Sequence, residues 1–433
     1  MTTLAVAALA AAGPGRTKPT TYVVVYEHGT SAKAAHAAIR AAGAKLVREN
    51  KDIGVATVVS ANPRFPIAAA RTSALVGAAR NIPIGHAIPD VRPKTDIEKL
   101  RALWKATKGM QPQARVKLFA REKHAEPLAS LQWDIQMIHA TSDGSYREQK
   151  GDKRVLVGVL DTGIDGKHPD IASNFDAKLS RNFTFDIPAI DGPCEHPSCK
   201  DPANEDDNGH GTHVASTIGS PINKLGVAGV APDVTLVNIR AGQDSGFFFL
   251  QPSVDALTYA ADNGIDVVNM SYYIDPWLFN CTNAPEDSPA SRFEQAVIID
   301  ATQRALDYAH DHDVTLIAAA GNNHQDEGHP TVDDTSPDYP PSSIYHRTVD
   351  NTCLDLPTEG HNVMSISAIG PSKRKADYSN YGLEQITVAA PGGFFRDDPL
   401  WKASDPPAVR NVAGIPNQIL AAFPENVAEA EGC

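Results

Sequence analysis

The chain has 433 residues, 42% of them hydrophobic, and a formal net charge of −13 at pH 7. This length is sufficient for two or three domains with a large buried core, and the composition is ordinary for a globular protein. No run of about 18 or more apolar residues occurs, so the sequence predicts no membrane-spanning helix and no membrane partner.

The charge is distributed unevenly along the chain. Residues 1–125 contain 20 Lys and Arg against 7 Asp and Glu, whereas residues 126–433 contain 19 against 45. A basic front and an acidic body attract each other and speed their association. The basic residues are scattered among Ala and Val and are not clustered with aromatics, which disfavours a nucleic-acid partner.

The first residues are apolar and small, from Leu4 to Ala12. They indicate the remnant of a secretory signal peptide over residues 1–16, although the basic flank of such a signal is missing. The alternative is a disordered Ala-rich end. The signal predicts a secreted, extracellular protein.

Cysteine spacing is consistent with that setting. Cys194 and Cys199 flank a four-residue loop, which predicts a local disulfide, and Cys281 with Cys353 forms the second expected pair. Cys433 is left over, and we expect its partner further along a longer protein. No CxxC pair has the spacing of a zinc finger.

The front of the chain predicts a small α+β domain over residues 17–92. Its expected order is strand, helix, strand, strand and helix, at Thr21–Tyr26, Ser31–Ala42, Lys45–Glu49, Ile53–Ser60 and Ile67–Ala79. The Pro- and Lys-rich residues 93–125 are interpreted as a linker or activation segment.

Residues 126–433 alternate strand-like and helix-like segments. Apolar runs of strand length occur at Arg154–Leu160, Val234–Arg240, Ile265–Ser271, Val314–Ala320, Val363–Ile369 and Ile386–Ala390. Helical stretches lie between them at His210–Ser220, Ser253–Asn263 and Phe293–His312. The fold class is therefore α/β, a mostly parallel, doubly wound sheet flanked by helices. The Pro- and Asp-rich stretches 272–292 and 325–358 are predicted to be surface insertions.

Candidate catalytic residues follow from this alternation, because active groups gather at the carboxyl ends of parallel strands. Asp161 follows such a strand, with Asp165 and Asp170 as rivals in the same loop, and its non-catalytic role would be to cap the next segment. His210 opens a helix, whose amino end favours the neutral imidazole that a general base requires. A metal pair of His210 with His213 is the rival, but it lacks the Glu of a His-Glu-x-x-His helix and a third ligand.

Three segments resemble those of the subtilisin-like serine proteases, the subtilases: Val159–Gly163, Asn208–Ser216 and Ala318–Asn322. The resemblance implies that Asp161 orients His210, that His210 is the general base, and that Asn322 is the oxyanion donor, with Asn323 as its neighbouring rival. It also implies a polypeptide substrate, no required cofactor, and a propeptide, residues 17–92, that acts as intramolecular chaperone and inhibitor. Structural calcium is a further implication, with Asp206 and Asp207 as candidates beside a solvated turn as the alternative.

Two substrate-binding strands are implied by the same resemblance. Ser271 begins the first, where Tyr272, Tyr273 and Ile274 replace the glycines usual in the family and should narrow the pocket before the scissile bond. Gly246 begins the facing strand. Its three following phenylalanines are expected to be exposed and to favour apolar substrate side chains; the alternative is that they belong to the core.

The serine nucleophile is the missing element. Ala376–Gly382 and Val388–Gly392 match the family stretch that leads to it, yet no Gly-Thr-Ser follows Gly393. Ser31 follows Gly-Thr but precedes Asp161, and the subtilase order is Asp, His, Ser, so Ser31 is rejected. The expectation is a serine-type endopeptidase whose serine lies beyond this sequence, so that the chain as given is inactive. The alternatives are a catalytically inactive peptide-binding pseudoprotease and a front domain that inhibits other proteases.

Overall fold

The structure is a computed structural model. It describes residues 19–86, 126–274, 276–338, 341–397, 403–404 and 414–430. The signal remnant predicted at 1–16, the linker predicted at 93–125 and Cys433 lie outside the described residues. The chain divides into two compact units, Met1–Asn81 and Ile82–Cys433.

The first unit is a small sheet with two helices. Its described elements are β1 (Thr20–Tyr26), α1 (Ala32–Ala41), β2 (Lys45–Asn50), β3 (Val55–Ser60), α2 (Phe65–Ala70) and β4 (Leu75–Arg80). The strand order is β2-β3-β1-β4, and each neighbouring pair is antiparallel. Tyr22, Val24, Ile39 and Phe65 contribute to its apolar core. The Ser31 hydroxyl accepts a hydrogen bond from Ala34 N at 3.3 Å and so caps α1.

One element of this unit was predicted wrongly. The helix expected over Ile67–Ala79 ends at Ala70, and Leu75–Arg80 is a strand. An apolar run of this length does not distinguish a helix from a buried strand. Pairing with β1, which places Val23 opposite Ala79, decides in favour of the strand, and Gly77 weakens the competing helix.

The second unit contains the larger sheet. Its described strands are β5 (Pro83–His86), β6 (Leu156–Leu160), β7 (Arg181–Asn182), β8 (Thr235–Arg240), β9 (Phe247–Phe249), β10 (Val267–Met270), β11 (Thr315–Ala319), β12 (Val332–Asp333), β13 (Arg347–Thr348), β14 (Val363–Ile369) and β15 (Val388–Pro391). Its described helices are α3 (Trp133–Met137), α4 (Ser145–Glu148), α5 (His210–Gly219), α6 (Leu250–Asp262), α7 (Pro289–Asp311) and α8 (Glu425–Ala430). In the described part of the chain, every helix is too short or too polar to traverse a bilayer.

The described strands of the main sheet run in the order β15-β14-β11-β10-β6-β8-β7, and their pairings are parallel. The predicted α/β fold class is confirmed. Val157 and Val159 pack with Ala215 of α5, whereas a side chain at Gly158 would meet Ile265 at 3.1 Å. The two faces of β6 are thus covered by different parts of the chain, as expected for a strand buried on both sides.

The two stretches predicted as surface insertions are partly buried. Segments of 272–292 and 325–358 share an apolar cluster that contains Leu278, Phe279 and Val349. The disulfide Cys281–Cys353 joins them, and the predicted local disulfide Cys194–Cys199 is also present. The prediction of simple surface loops is wrong because the two stretches supply each other with a core.

Candidate active site

Asp161 is the first residue after β6, at the carboxyl edge of the main sheet. Its side chain is fully buried, and Oδ1 accepts hydrogen bonds from Thr162 N and from His210 Nδ1, both at 2.7 Å. The backbone carbonyl of Asp161 accepts two more bonds, from Ala241 N at 3.2 Å and Gly242 N at 3.1 Å. The segment that follows β8 therefore fixes the turn, and the carboxylate has one defined direction.

His210 is the first residue of α5, which the sequence predicted to begin there. Gly209 precedes it in the left-handed region at φ 92°, and a Cβ on Gly209 would lie 2.3 Å from the Phe423 ring. Asp206 caps this helix: its carboxylate accepts from Gly209 N and Thr212 N, both at 2.9 Å. The turn before His210 is therefore fixed by the left-handed backbone of Gly209 and by the hydrogen bonds that the Asp206 carboxylate accepts.

The bond between the two side chains determines the chemistry of the imidazole. Because Asp161 accepts from Nδ1 of His210, the ring carries a proton on that nitrogen, and Nε2 is the nitrogen able to accept a proton. The His210 side chain retains 21% exposure while Asp161 has none. Such a pair can take up a proton at Nε2 and stabilise the resulting imidazolium with a buried carboxylate.

Ser271 and Asn322 follow the next two strands of the sheet. Met270 of β10 is in register with Leu160 of β6 and with Ala318 of β11, so the loops that start at Asp161, Ser271 and Asn322 leave one edge. Ser271 Oγ accepts a hydrogen bond from Asn269 at 2.7 Å. The structure thus brings Asp161 into direct contact with His210 and places Ser271 and Asn322 in the loops that follow two adjacent strands.

Asn380 holds the turn that carries Asn322. Its Oδ1 accepts from Asn323 N at 2.9 Å and from Gln325 N at 3.0 Å, and its backbone N donates to Gly321 O at 3.0 Å. Gly321 has φ 102°, and a Cβ there would lie 2.7 Å from Asn380 Nδ2. The sequence analysis missed this role because no local pattern connects positions so far apart in the chain.

The strand that begins after Gly246 differs from the prediction. Phe248 and Phe249 are buried, and the Phe248 ring stacks on Tyr272 with centroids 4.2 Å apart and planes 5° from parallel. The expectation of three exposed aromatic rings is wrong, because Phe248 and Phe249 are buried and the Phe248 ring packs on the segment after β10. Burial also raises the pKa of the Tyr272 hydroxyl.

β5 pairs with β9 in antiparallel register. Gly85 lies opposite Phe248 and His86 opposite Phe247. Gly246 has φ 85° and donates its N–H to Gln243 O at 2.9 Å, which sets the turn into β9. The edge of β9 therefore already accepts one extended segment of this chain.

The rival aspartates and the rejected serine lie in other environments. Asp165 Oδ1 accepts from Lys167 N at 3.0 Å, and Asp170 Oδ2 accepts from Val227 N at 2.8 Å. Ser31 belongs to the first unit, where it caps α1. Asp206, one of the two candidate calcium ligands, caps α5.

Comparisons with known proteins agree with this geometry. The profile of the subtilase family matches residues 152–414. Subtilisin DY from Bacillus licheniformis is 29% identical over 238 residues, which cover 55% of this chain and 64% of that protein. The thermophilic serine proteinase of Bacillus sp. (strain AK1) is 29% identical over 252 residues, 58% of this chain and 47% of that protein.

A crystal structure of the epidermin leader peptide processing serine protease from Staphylococcus aureus has a similar fold, with a TM-score of 0.63 at 21% identity. The similarity covers 87% of this chain and 76% of that one. The matched region thus spans roughly half to two thirds of the two curated relatives. With the profile match extending over most of the sheet and both segments of the Asp161–His210 pair, the chain belongs to the subtilase family of serine proteases.

Proposed function

We propose that the protein containing this chain is a secreted serine endopeptidase, with Asp161 and His210 as two members of its triad. The serine is contributed by a segment outside these 433 residues. The observation that supports the proposal best is the 2.7 Å bond between Asp161 Oδ1 and His210 Nδ1 at the carboxyl edge of the sheet.

In the proposed reaction, the serine oxygen attacks the carbonyl carbon of the peptide bond, and Nε2 of His210 takes the hydroxyl proton. The carbon–nitrogen bond then breaks, and His210 returns the proton to the leaving amine. Water hydrolyses the acyl-enzyme by the same two proton transfers. Asp161 keeps its negative charge throughout and stabilises the imidazolium.

Asn322 is proposed to donate its side-chain N–H to the oxygen that becomes negative in the transition state. A donor of this kind contributes about 3–4 kcal/mol, a value known for the corresponding residue of subtilisin, itself a subtilase. The clamp formed by Asn380 on the turn at Gly321 supports this assignment, because an oxyanion donor has to be fixed before the charge develops.

A polypeptide substrate is proposed to add as an extended strand between Ser271 and the β9 edge that starts at Gly246. The antiparallel pairing of β5 with β9 supports this mode, since it is the backbone arrangement that a substrate would adopt. The same pairing supports the proposal that residues 17–92 are a propeptide that assists folding and then blocks this edge.

No cofactor takes part in the proposed chemistry. The two disulfides support an oxidising, extracellular setting. Structural calcium, which the family often binds, would stabilise loops without entering any step.

The test compares the 433-residue chain with the product of the complete reading frame, each with and without His210→Ala. The complete product should hydrolyse a peptide ester and be labelled by a serine-directed fluorophosphonate, and His210→Ala should reduce turnover by about 10⁶-fold, the size known for subtilisin. The 433-residue chain should do neither. Labelling within residues 1–433, or a complete product that binds peptides without cleaving them, would contradict the proposal; the second result would identify a pseudoprotease.

A further inference from the structure

Two buried carboxyl groups lie close to the turn that carries Asn322. Glu327 and Asp355 are each 1% exposed, and both oxygens of each side chain are buried without a hydrogen bond of normal geometry to the described residues. Their neighbour Glu359 is only partly buried, and its Oε2 accepts a hydrogen bond from Asp355 N at 2.8 Å. A buried carboxylate without a donor is costly, and a cation or a proton has to compensate it.

Asn380 connects these carboxyl groups with the turn of the candidate oxyanion donor. Its side-chain amide lies next to Glu327 and Asp355, where it acts against the rise of their pKa values. The Oδ1 atom of the same amide accepts hydrogen bonds from Asn323 N and Gln325 N. A single side chain therefore separates the two acids from the turn at which the peptide carbonyl is expected to react.

The segment that contains Asp355 is fixed to the loops after two adjacent strands. Ile274 N, in the segment after β10, donates to Leu356 O at 2.5 Å. Thr358 Oγ1 donates to Ala319 O, at the end of β11, at 2.6 Å. Asp355 thus lies between the segment after β10 and the turn after β11. In the proposed substrate mode, this is the place of the pocket for the residue before the scissile bond.

We propose that Asp355 and Glu327 close the end of this pocket and that the substrate side chain bound there is the basic one of Arg or Lys. The proposal rests on the proposed function and names its substrate class, peptides with a basic residue directly before the cleaved bond. A guanidinium or an ammonium supplies only donors, and carboxylates are their preferred acceptors. An uncharged side chain would leave both acids without a partner, and groups left unpaired are what makes a polar pocket selective.

Binding of a basic side chain should displace a proton from these acids. Burial, with repulsion from Glu359, raises the pKa of Glu327 to about 9, and burial with repulsion from Glu327 raises the pKa of Asp355. Two further charged neighbours are also acidic, Asp326 beside Glu327 and Asp333 beside Asp355. A cation that enters the pocket stabilises the ionised acids, so the complex forms with release of a proton at neutral pH.

The first test measures peptide binding to the 433-residue chain and needs no serine. The probes are two acetylated tetrapeptide amides that differ only in their last residue, which is arginine or its uncharged isostere citrulline. Isothermal titration calorimetry, with a chelator present, compares the parent chain, Glu327→Gln and Glu148→Gln. Glu148 is exposed at the surface, so the two variants lose the same charge. Gln imitates the protonated acid that the free protein holds, and Glu327→Gln should therefore fold.

We expect the arginine peptide to bind the parent chain and Glu148→Gln at least about tenfold more tightly than the citrulline peptide, as for a hydrogen-bonded charge. Glu327→Gln should lose most of this preference. The binding enthalpy of the arginine peptide to the parent should differ between phosphate and Tris buffer, because a proton is released, whereas that of the citrulline peptide should not. Equal affinities for the two peptides in the parent chain, or an unchanged preference in Glu327→Gln, would overturn the proposal.

The second test measures kcat/KM of the complete reading-frame product for esters of the two peptides. The arginine ester should be preferred at least about tenfold, by the same argument. A product that hydrolyses both esters equally well would overturn the basic pocket and leave the endopeptidase intact. Selective binding of the arginine peptide together with a complete product that cleaves neither ester would support the pocket and contradict the endopeptidase.

Discussion

The larger unit contains two completely buried arginines whose surroundings are opposite. Arg347 of β13 donates to Asp287 from Nε and Nη2, both at 2.9 Å, and to Asp333 from Nη1 at 2.7 Å. Phe279 O and Gln295 Oε1 accept its other N–H groups, and the guanidinium lies 4.5 Å from the Trp277 ring centroid. Every donor of Arg347 has a partner, and two carboxylates share its charge.

Arg240 has the reverse balance. Four aspartates, Asp201, Asp206, Asp207 and Asp244, interact electrostatically with it. Its Nη1 makes no hydrogen bond to the described residues, and buried oxygens of Asp201 and Asp244 also make none. The charge of Arg347 is therefore compensated by the residues that it contacts. The aspartates around Arg240 are only partly compensated by its single guanidinium.

The difference indicates why each arginine is buried. A fully satisfied network fixes one arrangement of its elements, and the Arg347 network fixes the two long stretches that it joins. An incompletely compensated network close to the Asp161–His210 pair is a candidate binding site. Burial alone does not distinguish the two cases; the pairing of each nitrogen and oxygen does.

The largest effect is expected for Arg347→Met. The substitution leaves Asp287 and Asp333 buried without their cation, and breaking such a pair costs about 3–5 kcal/mol of unfolding free energy. Urea unfolding at pH 7 measures it, with the exposed Arg154→Met as control. A loss below about 1 kcal/mol would mean that the Arg347 network does not fix the two stretches that it joins.

Most of the main sheet and the contact between Asp161 and His210 were predictable from the sequence. Asp161 and His210 stand in unbroken local patterns, an apolar run ending in an aspartate and a helix start, and local patterns determine such elements. Asn380 and Phe248 could not be assigned from the sequence, because their roles depend on partners far away in the chain. The strand Leu75–Arg80 was mistaken for a helix for the same reason, since only pairing with β1 distinguishes the two.

A smaller loss of unfolding free energy is expected for Arg240→Met. In the presence of a chelator the variant should lose about 1–3 kcal/mol, because buried acceptors lose a donor. The loss should be smaller than for Arg347→Met because Asp207 and Asp244, two of the aspartates near Arg240, are only partly buried. Urea unfolding of the variant and of the parent chain measures it. A loss as large as that of Arg347→Met would contradict the distinction between the two arginines.

The larger unit contains a third group of buried or partly buried acidic side chains: Glu327, Asp355 and Glu359. Both oxygens of Glu327 and of Asp355 are buried without a hydrogen bond of normal geometry to the described residues. Burial, with repulsion from Glu359, raises the pKa of Glu327 to about 9, and burial raises the pKa of Glu359 to about 7. We therefore expect Glu327 to be protonated at neutral pH.

Glu327→Gln tests that conclusion through the pH dependence of stability. The folded state holds a proton on Glu327 that the unfolded chain releases near its ordinary pKa of 4.5. The parent chain should therefore lose unfolding free energy as pH rises from about 4.5 toward 9, by up to about 1.4 kcal/mol per pH unit for this one group. Gln imitates the protonated acid, so the variant should lack that share of the slope and become the more stable protein at alkaline pH. Urea unfolding at pH 6, 7.5 and 9, with the exposed Glu148→Gln as control, measures the difference. Parallel profiles for Glu327→Gln and the parent would show that Glu327 holds no extra proton in the folded state.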